Sequence, residues 1–307
     1  MPTVRYVTLD VFTQTRFTGN PLAVILDAQG LSSADMQAIA TEFNYSETTF
    51  VLPPQDPQNS AQVRIFTPTM EVPFAGHPNV GTAYVLGQQA EIFGRPVGET
   101  LRFEEKAGLV EVALKRENGK VTAASIRAPQ ALSTGSTVDV QSVADCLSLD
   151  PENIRTENHQ PRYASVGLAF VFAELDGLEA LGRAQPDLAA FKTAAKKYPG
   201  EGLDFPIFLY VRDPSRPWHI RARMFSPLDN VPEDPATGSA SAALAAYLVE
   251  TSSDLEPDGT TAITIEQGVE MGRRSLIQLE VTKRAGKVSD VLVGGSCAMV
   301  MRGELDC

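Results

Sequence analysis

Histidine is scarce in this chain of 307 residues, with only three, His77, His159 and His219. Their separations give no paired ligand spacing, so a histidine-built metal centre has no foundation in the sequence. The three cysteines, Cys146, Cys297 and Cys307, are scattered and form neither a metal pattern nor a disulfide framework, so buried or idle thiols are expected. Basic charge is also short: Lys+Arg 26 against Asp+Glu 38 gives −12, which argues against nucleic-acid and anionic-membrane partners. No uncharged apolar run approaches the ~20 residues of a membrane span, and residues 1–20 lack the basic start and apolar run of a signal peptide, so a cytoplasmic location is expected.

What remains is a globular composition, 43% hydrophobic and 21% charged, long enough for two domains of roughly 150 residues. Its plan is a duplication. Arg64-Ile65-Phe66-Thr67-Pro68 and Arg223-Met224-Phe225-Ser226-Pro227 share a pattern, each is followed by Val-Pro (Val72-Pro73; Val231-Pro232), and each reaches a glycine and a polar residue (Gly76-His77; Gly238-Ser239). The segments behind these glycines, 77–86 and 239–249, carry no charged side chain. A helix apolar on every face must be surrounded by protein, and roughly 11 residues are too few to cross a bilayer. The expectation is two similar lobes, each a curved sheet wrapped around one buried helix.

The flanking elements support this. Ser32 or Ser33 caps a helix with apolar positions at Met36, Ile39, Ala40 and Phe43, one face wet and so outside the sheet. Leu188, Phe191, Ala195 and Tyr198 answer it in the second half. Strands are expected over 6–12, 49–52, 101–103, 109–114 and 121–126, with a hairpin at Glu117-Asn118-Gly119-Lys120. The second half repeats the set over 263–265, 276–281 and 288–293, turning at Arg284-Ala285-Gly286-Lys287. The lobes are placed at 1–128 and 129–295, with a weak boundary over 129–137 and with 296–307 as a candidate final strand of the first lobe.

A buried helix presents unpaired N–H groups and a positive dipole end, a natural place for an anion. Gly76, His77, Gly238 and Ser239 stand at those ends, and Asp234-Pro235 lies just upstream of the second. The phosphate-loop alternative fails because Gly76-His77-Pro78-Asn79-Val80-Gly81 is followed by Thr82-Ala83, without the required lysine. No G-x-S-x-G elbow surrounds Ser239 or Ser275. Each candidate also has a plain reading: His77 as a backbone-satisfied cap, Asp234 as a turn former before Pro-Ala-Thr-Gly, Glu47 as a solvated loop carboxylate.

Taken together, Asp10-Val11-Phe12, Gly19-Asn20-Pro21-Leu22-Ala23-Val24, Ser46-Glu47-Thr48, Phe74-Ala75-Gly76-His77-Pro78, Glu233-Asp234-Pro235-Ala236-Thr237-Gly238-Ser239, Glu266-Gln267-Gly268 and Gly272-Arg273-Arg274-Ser275 resemble the phenazine-biosynthesis PhzF-like family over essentially the whole chain. The resemblance implies the α+β diaminopimelate-epimerase fold, two pseudo-symmetric lobes each a mixed sheet rolled into a barrel around a central buried helix, together with a homodimer and cofactor-free proton transfer on a small carboxylated substrate between the lobes. It puts the acid/base role on Glu47, substrate contacts on His77 and Asp234, and substrate-receiving N–H groups on Gly76, Gly238 and Ser239. Epimerase and racemase relatives of the fold use a cysteine pair, absent from the matching motifs here, which favours a single-base isomerase. An epimerase using Glu47 with Asp234 and a purely binding family member stand as the alternatives. Arg274 departs from the proline common at that position, at the expected rim of the site.

Overall fold

Alternating apolar and polar residues along 61–66 give a strand with one face to a core, while the apolar run Leu22–Ile25 gives a strand buried on both faces. The structure, a computed structural model, describes residues 3–200 and 202–307. They separate into two compact units, 1–127 with 294–307, and 128–293.

In the first unit the strands close on themselves. Thr3–Val11 pairs with Asn20–Ile25, and the chain of neighbours continues through Glu47–Leu52, Ala61–Phe66, Thr100–Glu105, Gly108–Glu117 and Lys120–Arg127 to the last part of Lys287–Asp306, which returns to Thr3–Val11. Helix α1 (Ser33–Phe43) lies outside. Ser32 caps it in a reciprocal capping box with Asp35, Asn44 ends it in a left-handed conformation (φ 52°), and Met36 and Ala40 are its buried contacts. Helix α2 (Gly76–Gly87) runs through the middle and packs on the strands 3–11, 20–25, 47–52, 108–117 and 120–127. Its Val80, Val85 and Leu86 are almost wholly buried, each stabilising the fold by about 1.5–3 kcal/mol. The approach is close at Gly81, where an added Cβ would sit 2.5 Å from Leu22 Cδ2.

The second unit strings Ser133–Thr137, Arg162–Ser165, Ala169–Leu175, Ile207–Asp213, Arg216–Ser226, Gly259–Gln267, Ser275–Arg284 and the start of 287–306 into one series. Three outer helices, α3 (Val140–Leu147), α4 (Leu178–Arg183) and α5 (Leu188–Lys197), cover one side through Val143, Leu147, Leu181 and Phe191. Helix α6 (Gly238–Thr251) is the buried one, with Ala240 to Val249 shielded throughout.

Both charge-free segments are therefore buried helices that begin at the predicted glycines. Residues 296–306 continue the strand that starts at Lys287 and, within 294–307, belong to the first unit, where they pair antiparallel with Thr3–Val11. Three local readings of the sequence needed revision. Ser133–Thr137, within the weak boundary, is an edge strand on Arg162–Ser165, consistent with its β-branched threonines. The pattern Val140, Val143, Ala144, Leu147 after Asp139 is an amphipathic, capped helix that went unread. Leu188, expected on the buried face of α5, is 47% exposed, because it is the first helical residue and Phe191 and Ala194 take the inner face.

Candidate active site

The first cluster comes from the strand–helix contact of the first unit. Glu47 opens the 47–52 strand, which runs parallel to 20–25 with Leu22 opposite Glu47. Two residues on, Thr49 Oγ1 shares a 2.8 Å hydrogen bond with Thr82 Oγ1 of α2, a buried tie that fixes the strand against the helix. That packing sets Glu47 Oε2 3.6 Å from His77 Nε2, with side-chain exposures of 19% and 7%. The separation is too long for a hydrogen bond, and burial pushes the imidazole down from 6.5 to about 3. His77 is therefore a neutral imidazole beside a carboxyl, at the first turn of a helix.

That turn has no side-chain acceptor of its own. Ala75 is the N-cap residue, and Asn79 bonds in the other sense, its Nδ2 donating to Ala75 O at 3.0 Å. Arg64 braces the approach with a two-pronged pair to Glu71, Nε to Oε1 and Nη2 to Oε2, both 2.8 Å, and Lys106 joins Glu71 at 2.6 Å.

The second unit repeats the arrangement with different chemistry. Arg223 makes the same two-pronged pair with Glu233, again 2.8 Å on both prongs, and its Nη1 donates to Leu181 O and Ala184 O. At the start of α6 the N-cap residue Thr237 gives its helix no side-chain cap; its hydroxyl donates instead to Asp234 Oδ2 at 2.5 Å. Gln267, wholly buried, closes the loop: Oε1 accepts from Thr237 N at 3.0 Å, while Nε2 donates to Asp234 O at 2.7 Å and Thr237 Oγ1 at 3.0 Å. Gly268 follows with φ +72°, and a Cβ there would lie 2.6 Å from Pro235 O and 2.5 Å from Arg273 O. Asp234 is thus a buried carboxyl in a fixed loop, with Gly238 buried and Ser239 half-buried beside it.

Glu47, His77 and Gly76 thus come together in the first unit, and Asp234, Gly238 and Ser239 in the second. The sequence reading missed the supports: Arg64 with Glu71, Arg223 with Glu233, Asn79, and the role of Gln267. The arginines were visible as the repeated first residue of each unit, but their partners lie seven and ten residues on at differing offsets. Arg274 bonds to Glu266, which also faces Arg221 Nε at 3.5 Å and His219 Nε2 at 3.7 Å. His159 bonds Tyr210 at 2.6 Å in a buried network with Glu174 and Arg212. Cys146 and Cys297 are buried, and burial raises both thiols, Cys146 to about 12. Among the described residues no three His, Cys, Asp or Glu side chains gather as a metal site would require, and no helix is long and apolar enough to cross a membrane.

The model of the family described as phenazine biosynthesis-like protein matches residues 9–303. The chain belongs to that family. It is 40% identical to an uncharacterised isomerase of Mesorhizobium japonicum, over 99% of both chains. It is 37% identical to the trans-2,3-dihydro-3-hydroxyanthranilate isomerase of Pseudomonas chlororaphis, over 98% of both. Among solved structures, a phenazine biosynthesis protein of the PhzF family from Bacillus anthracis aligns over the whole of both chains with a TM-score of 0.87 and 26% identity. A hydroxyproline epimerase from Agrobacterium vitis, 11% identical at TM-score 0.61 over 99% of this chain and 91% of its own, shares the fold. Membership carries the α+β diaminopimelate-epimerase-like fold and the enzyme class, an isomerase.

Proposed function

We propose that this family member moves a proton within a small cyclic carboxylic acid of the trans-2,3-dihydro-3-hydroxyanthranilate type, without a cofactor. The observation that carries the reading is the Glu47–His77 pair, a carboxyl and a neutral imidazole 3.6 Å apart at the head of a buried helix. The 36–37% identity to isomerases of that substrate supports it. A dihydro ring that isomerises loses one C–H bond, gains another X–H bond, and shifts its double bonds, so one base that takes and returns a proton is sufficient.

In this reading Glu47 is that base. The carboxyl is partly shielded and stands 3.6 Å from an uncharged imidazole, within reach of a bound substrate's C–H proton. The backbone N–H groups of Gly76 and His77, and those of Gly238 and Ser239, receive the substrate's carboxylate and stabilise charge that develops on its neighbouring carbon. Asp234, oriented by Thr237, takes the substrate's amine or hydroxyl.

The test is turnover and solvent-deuterium incorporation with trans-2,3-dihydro-3-hydroxyanthranilate. Glu47→Gln keeps the shape and removes the base, so kcat is expected to fall ~10²–10⁴-fold with little change in binding. Asp234→Asn is expected to weaken binding and turnover together. Exchange at the wild-type rate in Glu47→Gln, with exchange abolished in Asp234→Asn, would reverse the two roles.

A further inference from the structure

The units can be compared strand by strand. In the second, the parallel strands 216–226 and 259–267 pair Arg221 with Glu266 and Ala222 with Gln267. In the first, the parallel strands 61–66 and 100–105 pair Gln62 with Glu104. Arg64 and Arg223 hold the same place in the repeat, so Gln62 answers Arg221, Glu104 answers Glu266, and Glu105 answers Gln267. Glu105 thus occupies the strand position from which the second unit ties down the turn at the head of its buried helix.

Its surroundings agree. Ala107 N donates to Pro73 O at 3.1 Å, holding the chain just after Glu105 against the segment that enters α2. Asn79, fully buried, grips Ala75 O through Nδ2; its Oδ1 and both Glu105 carboxyl oxygens are buried with no hydrogen bond made, and the Asn79 side chain is the polar group that acts on the Glu105 carboxyl. Both carboxyl oxygens of Glu105 are shut off from water. The neighbouring cation, Lys106, is engaged by Glu71, and Glu104 accepts from Gln55 N, Asp56 N and Asn59 Nδ2. A carboxylate in that position would have neither water nor a cation to stabilise it, so the neutral acid is favoured. Burial accordingly raises Glu105 to about 8, with the Asn79 contact acting in the opposite sense. A neutral carboxylic acid has the shape of a carboxamide and, like Gln267, presents a donor beside an acceptor, with one O–H in place of the two N–H donors that Gln267 uses.

We propose that Glu105 is a positioning residue, the first unit's counterpart of Gln267: a protonated carboxyl that braces Asn79 and, through its grip on the Ala75 carbonyl, the Gly76–His77 turn. That this turn receives a substrate carboxylate rests on the functional reading above; the protonated brace does not.

The experiment separates the two. Infrared difference spectra of the full chain at pH 7, wild type minus Glu105→Gln, are expected to show the carbonyl stretch of a protonated carboxyl, shifted in deuterium oxide. Amide hydrogen exchange at Gly76 and His77 is expected to quicken about tenfold in Glu105→Leu and to return to the wild-type rate in Glu105→Gln. With trans-2,3-dihydro-3-hydroxyanthranilate as the probe, Glu105→Leu is expected to raise KM about 5- to 30-fold while kcat changes far less, and Glu105→Gln to restore KM. Absence of the carbonyl band overturns the proposal, as does equal exchange in the Leu and Gln variants. If the wild type leaves the probe unchanged while the band and the exchange pattern appear, the brace stands and the substrate assignment falls.

Discussion

Acidification probes the state of His77 directly. The imidazole has an ordinary value of 6.5 in the unfolded chain and is pushed by burial to about 3 in the folded one. Below pH 6.5 the unfolded chain binds a proton that the folded chain refuses. Stability is therefore intact above 6.5 and is lost as pH falls toward 3. At pH 5 the loss from this residue is about 2 kcal/mol, and its full extent about 5 kcal/mol. The opposing effect is the attraction of Glu47: two charges 3.6 Å apart at an effective dielectric of about 20 attract by about 4–5 kcal/mol. The two magnitudes are close, and the contact geometry decides between them, since a pair without a hydrogen bond does not repay the burial of both charges. The assay is urea denaturation of wild type and His77→Gln at pH 7.5 and pH 5.0. Wild type is expected to lose about 2 kcal/mol more than the variant on acidification. A wild type that instead gains stability relative to His77→Gln would mean an imidazolium–carboxylate pair and would refute the neutral-imidazole argument.

Two further predictions concern the supports of the second unit. Arg223→Met strands Glu233 and the carbonyls of Leu181 and Ala184 in a buried setting, so a loss of about 3–5 kcal/mol is expected in chemical denaturation; a change under 1 kcal/mol would contradict the pairing seen here. Gly268→Ala forces a Cβ to 2.5–2.6 Å from two backbone carbonyls at φ +72°, so a stability loss of about 1–3 kcal/mol is expected along with a rise in KM, and unchanged stability and KM would show that the Asp234 loop does not depend on that contact.

Sequence alone determined what is local in cause. The two uncharged segments could only be buried helices, and their starts fell at Gly76 and Gly238 because the segment entering each cannot continue as helix through Pro73 or Pro235. The capped amphipathic segment at 33–43 and the turn at Asn118-Gly119 were likewise legible from neighbours within a few residues. The duplication was legible too, because it repeats residue types at nearly fixed spacing. Tertiary structure decided what depends on residues far apart in the chain. Glu47 had no local signal distinguishing it from a solvated loop acid; it meets His77, thirty residues on, because the 47–52 strand packs on α2 through Thr49 and Thr82. Gln267 reaches Thr237 and Asp234 across about thirty residues through a parallel register that periodicity cannot specify. The proton on Glu105 is likewise a matter of enclosure, since a glutamate's charge follows the water and cations around it, and only the folded chain determines those.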